Sequence, residues 1–386
     1  MPFPNISATI QSNNLLRSIT VTDGRGALAV TVNTPGLSEV VTTVYNLQDA
    51  VQKGFTASDE PSAYKHISEF YQELGGNMQL EIIGYSPDTT MNEFVNASNE
   101  NGLYKLLNQK DVNLVGITRQ PKSDYNPGTS FFDTDVKNTV LGSRPIAEAF
   151  QRKNKPFRML LEGRIAQEDA QNDFKANESN NNYIGVVLGS SNPDKGASVG
   201  IALARAVKYP AHVKLGAGTN GALSLAQIYI GTKPISERLD METLHDSGLI
   251  TFYNPSGTAG YYFGVDNMAS KDDLKILANG RIIDKAQRIT AETLIPFLEG
   301  NIQLESDGSL NAADIAHIED TIKSEIENNM GTQISNFDVL IPNGLNEAGK
   351  PVQDIVNTST LYIEEKIQPL GYMTWIKFTL GLTVKL

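Results

Sequence analysis

Among the 386 residues, the run most suggestive of chemistry is Gly216-Ala217-Gly218-Thr219-Asn220-Gly221, which satisfies G-x-G-x-x-G. Between a strand and a helix, such a run lets backbone amides approach a pyrophosphate while the helix N-terminus faces its charge. His212–Leu215 reads as strand-like, and a helix could begin at Ala222, but Gln227–Ile230 already has β character. A dinucleotide unit also ordinarily comes early in a chain. The run therefore reads as a Gly-rich turn, with a nucleotide-binding enzyme kept as the alternative. Gly24-Arg25-Gly26-Ala27-Leu28-Ala29 fits G-x-G-x-x-A, yet it leads into Val30-Thr31-Val32, a β-branched stretch and no helix start. Gly344 through Lys350 has the G-x-x-x-x-G-K spacing of a phosphate loop, but Pro351 stands where a magnesium-binding hydroxyl is required. Asn343, Gly344, Asn346 and Gly349 mark that stretch as a loop between strands.

The four histidines, His66, His212, His245 and His317, are scattered, with no H-E-x-x-H or other ligand spacing. His245 and Asp246 are adjacent on a helix end, and adjacent helical residues do not face each other. No G-x-S-x-G elbow exists for a serine hydrolase. The chain has no cysteine, which removes thiolate nucleophiles, disulfides, zinc ribbons and iron–sulfur sites together. The sequence thus nominates no catalytic residue, no metal ligand and no cofactor, and the expectation is a protein that is not an enzyme.

The elements that would position any site follow an α/β pattern. At 40% hydrophobic and 20% charged residues, two or three domains can each bury a core. The net charge of −12 argues against nucleic-acid binding, whose phosphates need Lys and Arg, and suits a subunit that stays soluble before recruitment. No apolar run approaches the ~18–20 residues of a membrane span, and MPFPNISATIQSNN lacks the basic-then-apolar order of a signal peptide. Residues 1–18 read as an extended arm, because Ile6, Ala8 and Ile10 alternate with polar neighbours. Ile19–Asp23 and Ala27–Val32 read as strands. Val40, Val44, Leu47 and Val51 fall on one helical face. A second helix is expected from a Ser58 N-cap through Pro61 to Leu74, ending at Gly75-Gly76.

Strands are expected at Met78–Tyr85, Val112–Ile117, Phe157–Leu161 and Tyr183–Leu188, the last a near-continuous apolar run suited to a covered sheet. Helices are expected at Asn101–Gln109, 134–153 and Ala197–Val207, and the polar stretch 165–182 reads as a loop. After about residue 270, a long helical stretch spans 272–298 and another Asp314–Met330. In the last segment Ile376, Phe378, Leu380, Leu382, Val384 and Leu386 alternate with Lys377, Thr379, Gly381, Thr383 and Lys385, the clearest period-2 signal of the chain. A strand running to the end of the sequence, uncovered on one edge, invites pairing with another chain; pairing within its own domain is the plainer alternative.

Several segments resemble phage tail sheath proteins and the sheaths of related contractile injection systems. They are VVTTVYNLQDAVQKGF (Val40–Phe55), YKHISEFYQELGGNMQLEIIGY (Tyr64–Tyr85), the small-residue helix and loop Ala197–Leu225, NGRIIDKAQRITAETLIPFLEG within Tyr261–Leu298, and Asn357–Leu386. The likeness is to a divergent member: the Gly-Gly-Asn turn lacks the usual Val-Arg strand signature, and the chain is short for a sheath.

The resemblance implies an α/β (α+β) core built from the N- and C-terminal halves, with an extended N-terminal arm and a C-terminal β-strand for exchange between subunits. The implied divisions are arm 1–18, core 19–270, C-terminal domain 271–371 and exchanged strand 372–386. Ile6, Ala8, Ile10, Ile376, Phe378, Leu380 and Leu382 would form the inter-subunit strands, with linkers 11–18 and 367–372 as hinges. The partners implied are further copies of the chain in stacked rings, an inner tail tube protein, and baseplate and terminator proteins, with no nucleic acid and no membrane. The place implied is a virion tail or contractile injection particle assembled in a bacterial host cytoplasm. Another virion component, a tube or baseplate protein, is the nearest alternative.

Overall fold

A computed structural model describes residues 23–377. Six strands form the central sheet: β1 (Gly26–Thr31), β2 (Val41–Val44), β3 (Leu80–Tyr85), β4 (Leu114–Ile117), β5 (Arg158–Glu162) and β6 (Ile184–Val187). Their order is β2-β3-β1-β4-β5-β6; β2 alone runs antiparallel. Every residue of the five parallel strands is buried. That is the signature of a sheet covered on both faces, and it explains why these strands read as continuous apolar runs. The strand order reverses between β1 and β4, which makes the sheet doubly wound.

Covering elements are α1 (Leu47–Gln52), α2 (Pro61–Leu74), α3 (Met91–Phe94), α4 (Leu103–Gln109), α5 (Thr134–Gly142), α6 (Arg144–Gln151), α7 (Val199–Lys208) and α8 (Met241–Asp246). Pro61 opens α2 and Gly75, at φ +71°, closes it in the left-handed conformation a side chain would resist. Helices α2 and α7 touch at Gly200, where a Cβ would run into the His66 carbonyl. Two short antiparallel hairpins follow, β7 (Tyr229–Ile230) with β8 (Lys233–Pro234) and β9 (Phe252–Tyr253) with β10 (Tyr262–Phe263).

Three expectations need correction. The helix drawn through Val40–Val51 is a strand, β2, followed by α1: all five residues of Val40–Val44 are Val or Thr, and β-branched side chains favour the pleated state. Ser58 does not cap α2. The N-cap is Glu60, whose carboxylate instead accepts from the Asn33 and Thr34 amides at 2.7 and 2.6 Å, tying the α2 start to the end of β1. The stretch 134–153 is two helices, because Pro145 begins a new first turn after Ser143.

The remaining elements are α9 (Leu277–Leu294), α10 (Ala312–Met330), β11 (Ile334–Leu340), α11 (Ile355–Thr358) and β12 (Glu364–Pro369). Ile282, Ala286 and Ile289 of α9 pack with Ile315, Ile318, Ile322 and Ile326 of α10 and with Val339 of β11, forming an apolar core separate from that around the sheet. The other side of α9 meets the amino ends of β4, β5 and β6 through buried charges. Arg158 donates to both Asp284 oxygens, at 2.7 and 2.6 Å, and to the Asn182 carbonyl at 2.8 Å. Arg288 donates to Asp111 at 2.7 Å and to the Val112 and Pro156 carbonyls at 3.1 and 2.8 Å. Lys285 pairs with Asp23 at 2.9 Å.

Candidate functional site

Ligands of doubly wound sheets bind beyond the carboxyl ends of the strands, and here the chain's own side chains fill that place. Glu162, at the end of β5, accepts from the Arg119 amide at 2.8 Å and from the Ala197 amide at 3.1 Å, so a carboxylate already lies at the entrance to α7. Arg119 is paired to Asp135 at 3.0 Å, and Asp135 also accepts from the Met91 and Asn92 amides. Asp133 accepts from the Tyr125 hydroxyl at 2.7 Å; burial raises its carboxyl above the usual range.

Gly216–Gly221 lies elsewhere and is a turn, with a short 3-10 segment at Gly218–Asn220 and no helix from Ala222. A Cβ on Gly216 would meet the Phe263 carbonyl, and the Asn220, Gly221 and Ala222 carbonyls accept from Arg205, itself paired to Glu73. The glycines thus serve close backbone packing. Gly344–Pro351 is an exposed loop closed by a Leu345–Pro351 bridge. His66 lies beside Glu69, and His245 is 3.3 Å from the Thr251 hydroxyl. No cluster of three or more metal-ligating side chains occurs among the described residues, and none of their helices is long and apolar enough to cross a membrane.

The surface with unmet apolar area lies in the C-terminal unit. Eleven of the seventeen exposed large apolar side chains among the described residues lie between Ile295 and Ile376. Strands β11 and β12 pair only with each other among the described residues, so each leaves one edge open. Between α9 and β12 runs a groove of 520 Å³ lined by Ile283, Ala286, Leu294 and Ile367, with Leu298 at its rim. Glu365 also lines it. One carboxylate oxygen accepts from the Thr290 hydroxyl at 2.7 Å, and the other is buried with no partner.

The sites where the described chain begins and where its tail leaves the body adjoin. Arg281 donates to the Asp23, Tyr209 and Pro210 carbonyls at 3.1, 2.9 and 3.4 Å. Burial pulls its guanidinium down to about 10, with Asp23 the foremost group opposing. The Tyr372 hydroxyl donates to the His212 carbonyl at 2.8 Å, its ring faces the Lys214 ammonium, and burial pushes it up to about 12. Past that anchor Met373, Trp375 and Ile376 are 85%, 81% and 75% exposed. Of the expected exchange residues, Ile376 is exposed and belongs to no helix or strand among the described residues. Ile6, Ala8, Ile10, Phe378, Leu380 and Leu382 lie outside the described residues. The groove and the Arg281–Tyr372 junction escaped sequence reasoning. A usable signal was the spacing of Arg281, Asp284, Lys285 and Arg288, which puts four charges on one face of an otherwise amphipathic helix.

The family model described as DUF2586, N-terminal domain, matches residues 6–267, more than half of the 386. The chain belongs to the DUF2586 family. No curated protein matches it. This DUF2586 chain is similar in structure to the helical sheath of the anti-feeding prophage in its contracted state, with TM-score 0.63 and 11% identity over 100% of each chain. It is similar as well to the contracted sheath complex of PVC, an extracellular contractile injection system, with TM-score 0.63 and 10% identity over 100% of this chain and 99% of that one. A sheath tail protein from Desulfitobacterium hafniense aligns with TM-score 0.52 and 12% identity over 95% of this chain and 100% of that one. The DUF2586 chain therefore has the sheath-protein fold, an α/β core with a C-terminal unit, over its whole length.

Proposed function

We propose that this DUF2586 protein is the structural subunit of a contractile sheath, one that polymerises around an inner tube and shortens to drive it through a target envelope. The observation that carries the reading is the end-to-end correspondence of its fold with sheath subunits, joined to a C-terminal unit whose open sheet edges and exposed apolar side chains suit repeated contact with identical copies. Ile6, Ala8 and Ile10 from one end and Ile376, Phe378, Leu380 and Leu382 from the other supply strands to neighbouring subunits. The divisions are arm 1–18, core 19–270, C-terminal domain 271–371 and exchanged strand 372–386, with hinges in the linkers 11–18 and 367–372; in the second, Ile367, Gln368 and Pro369 pair with β11 and Tyr372 bonds the His212 carbonyl, which leaves Leu370 and Gly371 to turn. The further partners are an inner tube, a baseplate and a terminator, in a virion tail or injection particle assembled in a bacterial cytoplasm. The role is structural, without catalysis.

Negative-stain microscopy of the purified chain tests this reading. The full chain is expected to form tubes with surface ridges, and a chain lacking residues 1–12 to remain a folded monomer with unchanged circular dichroism. Normal tubes from the truncated chain would remove the arm assignment; rings or smooth tubes of one fixed length per subunit would favour a tube or baseplate protein.

A further inference from the structure

The groove between α9 and β12 combines two features that call for an occupant. Its walls are aliphatic, and it holds a carboxylate oxygen, on Glu365, that is covered yet unbonded. A covered polar atom without a partner is disfavoured, and more so on a charged group. Among the described residues Thr290 is the one side chain bonded to Glu365, and burial raises the Glu365 carboxyl above the usual range. The fitting ligand is a short apolar segment carrying a cation, best a guanidinium, whose planar fork matches a carboxylate.

Residues 1–22 carry a single charged side chain, Arg17, and it follows Leu15 and Leu16 directly. Reach decides which copy supplies the segment. Asp23 is held on α9 by Lys285 at 2.9 Å. Thr290, which holds Glu365, lies five residues further on, about 8 Å along the axis of a helix about 10 Å across. Five residues separate Arg17 from Asp23, and the six Cα–Cα steps between them extend up to about 20 Å, enough to round the helix. The tail is the rival source of a cation, through Lys377 and Lys385. Its described residues beyond Tyr372, 373–377, are exposed, and an ammonium is a point charge without the fork.

We propose that Leu15, Leu16 and Arg17 of the same chain dock in this groove, the leucines against Ile283, Leu294 and Ile367 and the Arg17 guanidinium on the Glu365 carboxylate. The clamp fixes the root of the N-terminal segment on its own subunit, leaves residues 1–12 free to reach another, and narrows the hinge within 11–18 to the residues before Leu15. It concerns the single subunit and stands whether or not the chain forms tubes.

Hydrogen exchange read by mass spectrometry, on the full chain diluted until light scattering reports monomer, tests the clamp. Protection across residues 286–298 is expected to fall about tenfold in Arg17→Glu and in the Leu15→Ser/Leu16→Ser pair. The charge swap Arg17→Glu with Glu365→Arg is expected to restore it. Unchanged protection in Arg17→Glu overturns the proposal. So does protection that appears only at concentrations where copies associate, which would assign the groove to a second copy. Loss in Lys377→Glu or Lys385→Glu instead of Arg17→Glu would give it to the tail and equally overturn the assignment. Retained protection at α2 and α7 in every variant shows that the chain has folded.

Discussion

Replacing Asp284 by alanine tests how the two apolar cores are joined. Arg158 is almost wholly buried, and its guanidinium gives two of its donors to Asp284. The Asn182 carbonyl and the face of Tyr183 remain after the substitution, but neither neutralises a charge. A buried cation left unpaired costs about 3–5 kcal/mol, whereas removing both partners for apolar residues of similar volume is neutral or favourable by about 1–4 kcal/mol. The expected pattern is thus a loss of about 3–5 kcal/mol for Asp284→Ala and near wild-type stability for Arg158→Met with Asp284→Leu. With net stabilities of about 5–15 kcal/mol, the single change should be unmistakable. Urea unfolding followed by circular dichroism is the appropriate assay, since an ionic denaturant would screen the pair under study. Exposed Asp273→Ala supplies the control, expected within about 0.5 kcal/mol of the parent. A loss under about 1 kcal/mol for Asp284→Ala, or a double variant as unstable as the single, would refute the argument that paired charge holds α9 to the sheet.

Gly200→Ala should lower stability by about 1–3 kcal/mol by forcing α7 off the His66 carbonyl, measured as a fall in the urea midpoint with unchanged slope. A variant as stable as the parent would show that the two helices do not meet so closely. For pH, burial lowers His245 from its ordinary value, with Lys214 acting in the same direction and Asp246 opposing. The folded chain therefore keeps this imidazole neutral while the unfolded chain protonates it below about 6.5. The stability this contributes is present above that value and is lost as pH falls through it toward the folded value. His245→Gln should accordingly flatten the decline of the thermal midpoint between about pH 7 and pH 5; superimposable profiles for variant and parent would contradict the assignment.

The parallel strands were legible because their burial on both faces leaves Leu80–Tyr85, Arg158–Glu162 and Ile184–Val187 largely apolar, with Glu81 the one charge inside a strand and Arg158 and Glu162 at strand ends. Long helices were legible for the same reason in another period: Ile315, Ile318, Ile322 and Ile326 keep one face of α10 against the second core. Val40–Val51 was misread because the same four residues satisfy a helical stripe, while the β-branched content of Val41–Val44 settles the matter through pairing with β3, a partner distant in sequence. Glu60 was missed as a backbone acceptor for the same kind of reason. Its two donors, Asn33 and Thr34, lie 27 and 26 residues upstream. Alternation is legible in Ile6–Ile10 and from Ile376 onward, and of these residues only Ile376 and Lys377 lie among the described ones. Arg281, Tyr372 and Glu365 acquire meaning only once the fold has closed around them.

That closure also bears on how force could pass between copies. The apolar cores of the two units are distinct, and α9 is shared between them: Ile282, Ala286 and Ile289 face one, while Arg281, Lys285 and Arg288 fasten the helix to the chain leading into β1, β4 and β5. Charged, bidentate contacts are stiff in direction, because their strength depends on geometry that apolar packing does not require. Asp23 is held on this helix by Arg281 and Lys285, whereas Tyr372 is bonded to the His212 carbonyl. A pull on the chain at Asp23 would be delivered to α9 and from there to the sheet through Arg158–Asp284, without passing through the apolar core of the C-terminal unit. On the sheath reading proposed above, such a subunit would change its place in a lattice while the charged joint between α9 and the sheet keeps its geometry, as a polymer that shortens without coming apart requires.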